Sequence, residues 1–143
     1  MTRTIFVFGS NLAGRHGKGD ALIALRRHGA IYGQGEGLQG DSYGLPTKNY
    51  FIESLPLHEV AKSVARFLVF ARAHPEWNFD VAAVGCRLAG FTPAQIAPLF
   101  AEAPSNCYLH PDFIAALKAA GLPVNEAPLP KELPPADDQL SLF

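Results

Sequence analysis

Three glycine-bearing loops hold the residues of this chain best suited to chemistry. The first runs Gly9-Ser10-Asn11-Leu12-Ala13-Gly14-Arg15-His16-Gly17-Lys18-Gly19-Asp20, and the second Gly33-Gln34-Gly35-Glu36-Gly37-Leu38-Gln39-Gly40. The third is Gly85-Cys86-Arg87-Leu88-Ala89-Gly90-Phe91. Glycine lets the main chain turn with positive φ and come close to a ligand. A helix start adds unpaired N–H groups and the positive end of a dipole. Such groups suit phosphate, so the amides of residues 17–20 and 85–90 are the expected anion cradle. Neither the Walker A spacing nor a GxGxxG fingerprint with a later acidic residue is present. Singly, each loop reads as tight-turn chemistry; the first and third together on one sheet edge read as a site.

Several side chains carry two readings. His16 lies inside the first loop, where it touches a ribose or phosphate or else faces solvent. Asp20 is either a helix-start carboxylate favoured by the dipole or an acid turned to the ligand. Phe91 leaves the third loop and is the aromatic placed to stack on a ligand. Cys86 has no evident base beside it and reads as buried and inert. His28, His58, His74 and His110 are scattered and not spaced as ligands, so neither a metal nor a cofactor is expected.

The elements that must position these loops alternate between strand and helix. Residues 4–8 form an apolar, β-branched and aromatic run closed by Gly9, which reads as a buried strand. Residues 20–28 read as a helix ended by Gly29. The four glycines within 33–40 argue against regular structure there. Residues 42–48 read as a strand, with Pro46 near an end or an edge. Val60, Val64, Phe67, Leu68 and Ala71 recur at helical spacing until Pro75 intervenes. Residues 81–86 are a second buried-strand candidate, while Trp77 and Phe79 are expected to seal a sheet edge. Thr92-Pro93-Ala94-Gln95 has the makings of a capping box with proline at the first helical position. A short strand over 106–109 and a helix over 111–120 complete the series. Strands separated by helices imply an α/β fold with a mixed, mostly parallel sheet covered on both faces.

Composition narrows the function classes. A chain of 143 residues, 48% of them hydrophobic, is large enough for one buried core. No stretch approaches the roughly 20 apolar residues of a membrane span. The start, Met1-Thr2-Arg3-Thr4, reads as neither a signal nor a transit peptide. Two cysteines make no disulfide framework, so a cytoplasmic setting is the expectation. A formal charge of −1 argues against a free-standing nucleic-acid binder held by phosphate contacts, unless a basic patch is concentrated locally. The expected division is a domain over 1–122, a proline-rich extended linker over 123–138 and a terminal peptide over 139–143. That peptide, Gln139-Leu140-Ser141-Leu142-Phe143, offers apolar side chains worth roughly 1.5–3 kcal/mol each if buried in a partner. Folding back onto its own domain is the other use for it.

Two resemblances sharpen this reading. QLSLF resembles the peptide with which bacterial polymerases, repair proteins and some phage proteins dock on the DNA sliding clamp. In that family the glutamine and the last two hydrophobic residues carry the contact, here Gln139, Leu142 and Phe143, with Leu140 between. Separately, FGSNLAGRHGKGDALIALRRHGA resembles the first ligand loop and helix of macro domains. The closer likeness is to the branch of the terminal ADP-ribose protein glycohydrolase and the DNA de-ADP-ribosylating antitoxins. There a strand ending in Thr-Lys, here Thr47-Lys48, precedes a long helix, and Gly-Cys-Gly-Leu, here Gly85-Cys86-Arg87-Leu88, forms the diphosphate loop. A group of phage and bacterial macro-like proteins is similar through GQGEGLQGDSYGLPTK. The likeness spans roughly residues 4 to 121.

The resemblance implies a three-layer α/β/α fold and an ADP-ribose-type nucleotide as ligand. It implies that Asn11 orients a ribose and that Lys48 acts as a nucleophile on the distal ribose. Two positions depart from the pattern. Ala89 stands where the branch has an acid, leaving Asp20, Glu36 or Asp41 to supply one from another loop. Arg87 replaces a glycine and would either clamp a phosphate or block the groove. The alternative function is a non-enzymatic clamp-binding adaptor or replication inhibitor that uses the fold as a scaffold.

Overall fold

The computed structural model describes residues 2–130. Residues 131–143 lie outside the described part, and with them the second half of the expected linker and the whole terminal peptide.

Five strands form one mixed sheet. They are β1 (Thr4–Asn11), β2 (Gly37–Gln39), β3 (Ser42–Lys48), β4 (Asn78–Val81) and β5 (Cys107–Leu109). The order across the sheet is β2-β3-β1-β4-β5. Strand β1 pairs in parallel with β3 and β4, β4 in parallel with β5, and β2 antiparallel with β3. The helices are α1 (Gly19–Arg27), α2 (Leu57–Ala73), α3 (Pro93–Ile96) and α4 (Pro111–Ala119), with a 3-10 turn Ala97–Phe100 between the last two.

Chain direction explains why both faces are covered. From β1 the chain crosses by α1 to the β3 side; from β3 it crosses back over β1, by α2, to β4. Right-handed crossovers running in opposite directions put their helices on opposite faces. Alternation along β1 agrees. Ile5 and Val7 join the large core with Val64 and Phe67 of α2, while Phe8 packs with Ala21 and Ala24 of α1. In the large core Phe67 meets Tyr43, Phe79 and Phe100 with ring centroids 5.1, 5.5 and 6.4 Å away. A fully buried phenylalanine contributes roughly 2–3 kcal/mol, so this cluster anchors α2 to three other elements.

Four expectations change. Residues 33–40 are not wholly irregular, because 37–39 form β2: Leu38 and Gln39 pair against Tyr43 and Ser42 across a tight turn. The apolar run 81–86 is not a strand. Pairing with β1 ends at Val81, and the chain then curls, with Val84 N–H donating to the Ala82 carbonyl and Cys86 N–H to that of Ala83. Ala83 and Val84 are apolar because the curl buries them. Phe79 does not seal an edge; it is fully buried on an interior strand. Trp77 does lie at the sheet's end, stacked on His74 and covered by the Arg3 guanidinium 4.5 Å from its ring.

The fourth change concerns the start of the linker. Residues 123–130 are mostly exposed, as expected of a linker, but several of them touch the domain. Val124 packs half-buried against the core, Asn125 donates to the Ser105 carbonyl, and Glu126 pairs with Lys118 at 3.1 Å.

Candidate functional site

The site sits where the strand order reverses. Loops leaving the carboxyl ends of β1 and β4 diverge to opposite sides, which opens a crevice between them. A cavity of about 470 Å³ fills it. The first loop contributes Asn11, Arg15, Gly17, Lys18, Gly19 and Asp20; the end of β3 contributes Thr47 and Lys48; the third loop contributes Gly85, Arg87, Leu88 and Ala89. All of these except Arg15 and Thr47 were expected ligand-site residues, and one cavity joins them.

Each loop is held by identifiable contacts. The Asn11 amide donates to the Arg15 carbonyl and accepts from the Arg15 N–H, both at 2.9 Å. Asn11 lines the cavity and clamps the loop with one N–H and one lone pair of its amide, which leaves a second N–H and a second lone pair for a ligand. The second glycine loop braces the first. Gly14 has φ +71°, and a Cβ there would lie 2.3 Å from the Gly33 carbonyl carbon. Helix α1 begins at the cavity without a side-chain cap, since Lys18 at its N-cap makes no such bond. Its first N–H groups are thereby left for a ligand.

Charge is the most informative property of the lining. Four cations (Arg15, Lys18, Lys48 and Arg87) face one carboxylate, Asp20. Among the described residues none of the four side chains makes an ion pair. Glu36 and Asp41 do not answer for the acid missing at Ala89. Glu36 is held by Arg66 at 2.6 and 3.1 Å, and Asp41 by Arg3 at 2.7 Å, away from the cavity. Arg87 does not block the groove, because it lines the cavity and leaves its volume open.

A second cavity of about 420 Å³ adjoins the first through Asp20 and Arg87, which line both. Phe6 and Tyr108 give it aromatic walls, and the segment after α4 supplies Glu126, Pro128 and Leu129. Asp80 also lines it, its carboxyl raised by burial and drawn partly back by His28 and His110.

Four expected ligand residues stand elsewhere. His16 is fully buried. Its Nε2 lies 2.9 Å from the Gln34 carbonyl and 3.1 Å from Gln39 Oε1, two acceptors, so Nε2 carries the proton and Nδ1 is left buried without a partner. The residue ties the first glycine loop to the second. Phe91 packs into the core beneath Gly85. Cys86 packs there too; burial, with Asp112 nearby, pushes its thiol up to about 11, which suits an inert group. Gly90 closes the turn to the Arg87 carbonyl and does not line the cavity.

Sequence reasoning missed Arg15, Tyr32 and Ile52, which also line the cavity. Arg15 stood in the first loop as a visible cation. No local pattern marks Tyr32 or Ile52. No protein-family model matches the chain, and neither a curated protein nor a solved structure matches it.

Proposed function

We propose that this is a macro-like domain that binds ADP-ribose or a related nucleotide diphosphate. One observation carries the reading: four cations without an ion pair among the described residues surround an uncapped helix start at a strand-order reversal, beside a second, aromatic-walled cavity. The diphosphate would lie against the amides of 17–20 and 85–89 with Lys18 and Arg87. The two cavities suit the two ends of an extended ligand, since ordinary ligand pockets measure about 300–1,000 Å³.

We further propose that the domain removes ADP-ribose from DNA or protein. Lys48 Nζ would attack the anomeric carbon of the distal ribose and displace the modified group. Asp20, the one carboxylate lining the cavity, would take the lysine's proton, and water would then regenerate the lysine. Gln139, Leu140, Leu142 and Phe143 would bring the domain to a bacterial sliding clamp and raise its local concentration at DNA.

Ala89 favours the second reading, a clamp-binding adaptor without turnover, because the third loop lacks a carboxylate. One assay separates them. ADP-ribosylated oligonucleotide and protein are incubated with the full chain, and released ADP-ribose is measured by chromatography. Release that disappears in Lys48→Ala supports hydrolysis. Clamp binding that needs 139–143, with no release from either substrate, supports the adaptor.

A further inference from the structure

The turn after Lys48 is built unlike any other exposed segment. Ile52 has φ +63°, the left-handed region, and is the only non-glycine residue there among the described residues. For a β-branched side chain that conformation is strained, and such outliers gather at functional sites. The turn is nevertheless firmly held. Asn49 Oδ1 accepts from the N–H groups of Phe51 and Glu53, and Ser54 Oγ donates to the Ala89 carbonyl of the third loop. A rigid lip thus joins the strand end bearing Lys48 to the loop bearing Arg87.

What the lip displays is aromatic. Phe51 is 82% exposed and Tyr50 64%, while Ile52 turns into the cavity. Across the cavity Tyr32 is 60% exposed. Tyr32 and Ile52 share the cavity lining with Arg15, Lys18 and Arg87, which make no ion pair among the described residues, and with one carboxylate, Asp20; Tyr50 and Phe51 immediately precede Ile52 in the same turn. Exposed aromatics beside unneutralised cations form the surface on which bases stack while their phosphates are held. A duplex keeps its bases stacked on one another, away from Phe51.

We propose that this lip binds single-stranded nucleic acid, with bases on Phe51 and Tyr50 and flanking phosphates on Arg15, Lys18 and Arg87. The inference rests on the ligand reading above in one respect: it names the polymer that presents a nucleotide to the cavity. The contact itself needs no modification of the strand. DNA and RNA offer the same stacking and phosphate chemistry, so both are tested.

The experiment is fluorescence anisotropy of the full chain with labelled ten-nucleotide oligo-dT, oligo-U and a duplex of equal length, with ADP-ribose titrated in parallel. Phe51→Ala is the informative variant, since an exposed ring can be removed without unfolding the domain. The expected result is single-strand binding that weakens as salt rises, falls about tenfold in Phe51→Ala, and exceeds duplex binding, with ADP-ribose affinity unchanged in the variant. Preference for dT or U assigns the strand as DNA or RNA. Equal binding by wild type and Phe51→Ala, duplex binding as tight as single-strand binding, or no oligonucleotide binding overturns the lip. Phe51-dependent oligonucleotide binding without ADP-ribose binding upholds the lip and removes the ligand reading instead.

Discussion

Replacing His16 with alanine tests whether the first glycine loop is ordered by its buried histidine. The ring is fully buried and its Nε2 serves two acceptors, at 2.9 and 3.1 Å. Losing this one N–H hydrogen bond, shared between two acceptors, costs about 1 kcal/mol net. Both acceptors keep another donor: Gln39 Nε2 at 3.1 Å for the Gln34 carbonyl, and Ile31 N–H at 2.8 Å for Gln39 Oε1. Neither is therefore orphaned, and no further desolvation penalty arises. Emptying the ring's space adds about 1–2 kcal/mol of cavity cost. Removing the unpartnered Nδ1 returns about 1 kcal/mol. The net is about 1–2 kcal/mol, which for a domain of this size lowers Tm by about 6 °C. Thermal unfolding followed by circular dichroism reads it directly. A Tm within 2 °C of wild type, with ligand affinity reduced, would refute this reasoning and return His16 to the ligand.

Three further outcomes follow from the same geometry. Arg87→Ala weakens ADP-ribose binding about tenfold, the worth of one charge-assisted hydrogen bond, and leaves Tm unchanged because the side chain has no partner in the described structure; calorimetry beside a melting curve checks both. Tyr43 is buried, and that burial, with Glu36 adding to it, pushes its hydroxyl from 10.0 up to about 12. Folding favours the neutral form, so this contribution is whole below pH about 10 and is lost as pH rises to about 12, some 2–3 kcal/mol in all. Urea unfolding at pH 8 and pH 11 should show the loss, and Tyr43→Phe should reduce it. Cys107 is 2% exposed, and burial pushes its thiol up to about 12. A thiol reagent at pH 8 should label it only after denaturation, and rapid labelling of the native protein would contradict its place in the core.

Much of the framework was legible because its signals are local. The β3 bounds match the strand read over 42–48, between the glycine-rich loop and the turn after Lys48, and α2 follows from its helical stripe. The cap of α3 follows from four adjacent residues: Thr92 Oγ1 accepts from the Gln95 N–H while the Gln95 side chain accepts from the Thr92 N–H. The two-loop site was legible for a related reason, since parallel strands place their following loops at one edge. What escaped depends on contacts distant in sequence. Burial of His16 is decided by partners 18 and 23 residues away. Strand β2 exists because β3 lies beside it. The run 81–86 is apolar whether it forms a strand or a buried curl, so hydrophobicity alone does not separate the two. Val124 and Leu129, apolar residues among the prolines, were the available sign that the segment after α4 touches the domain. The left-handed Ile52 had no sign at all, because sequence patterns assign that conformation to glycine or asparagine.

Calorimetric titration of ADP-ribose into the full chain, beside Lys48→Ala and Ala89→Asp, tests the central claim most directly. The account predicts micromolar binding that survives Lys48→Ala, since phosphates held by main-chain amides and Arg87 do not need the Lys48 amine. Absence of heat at millimolar ADP-ribose would contradict it.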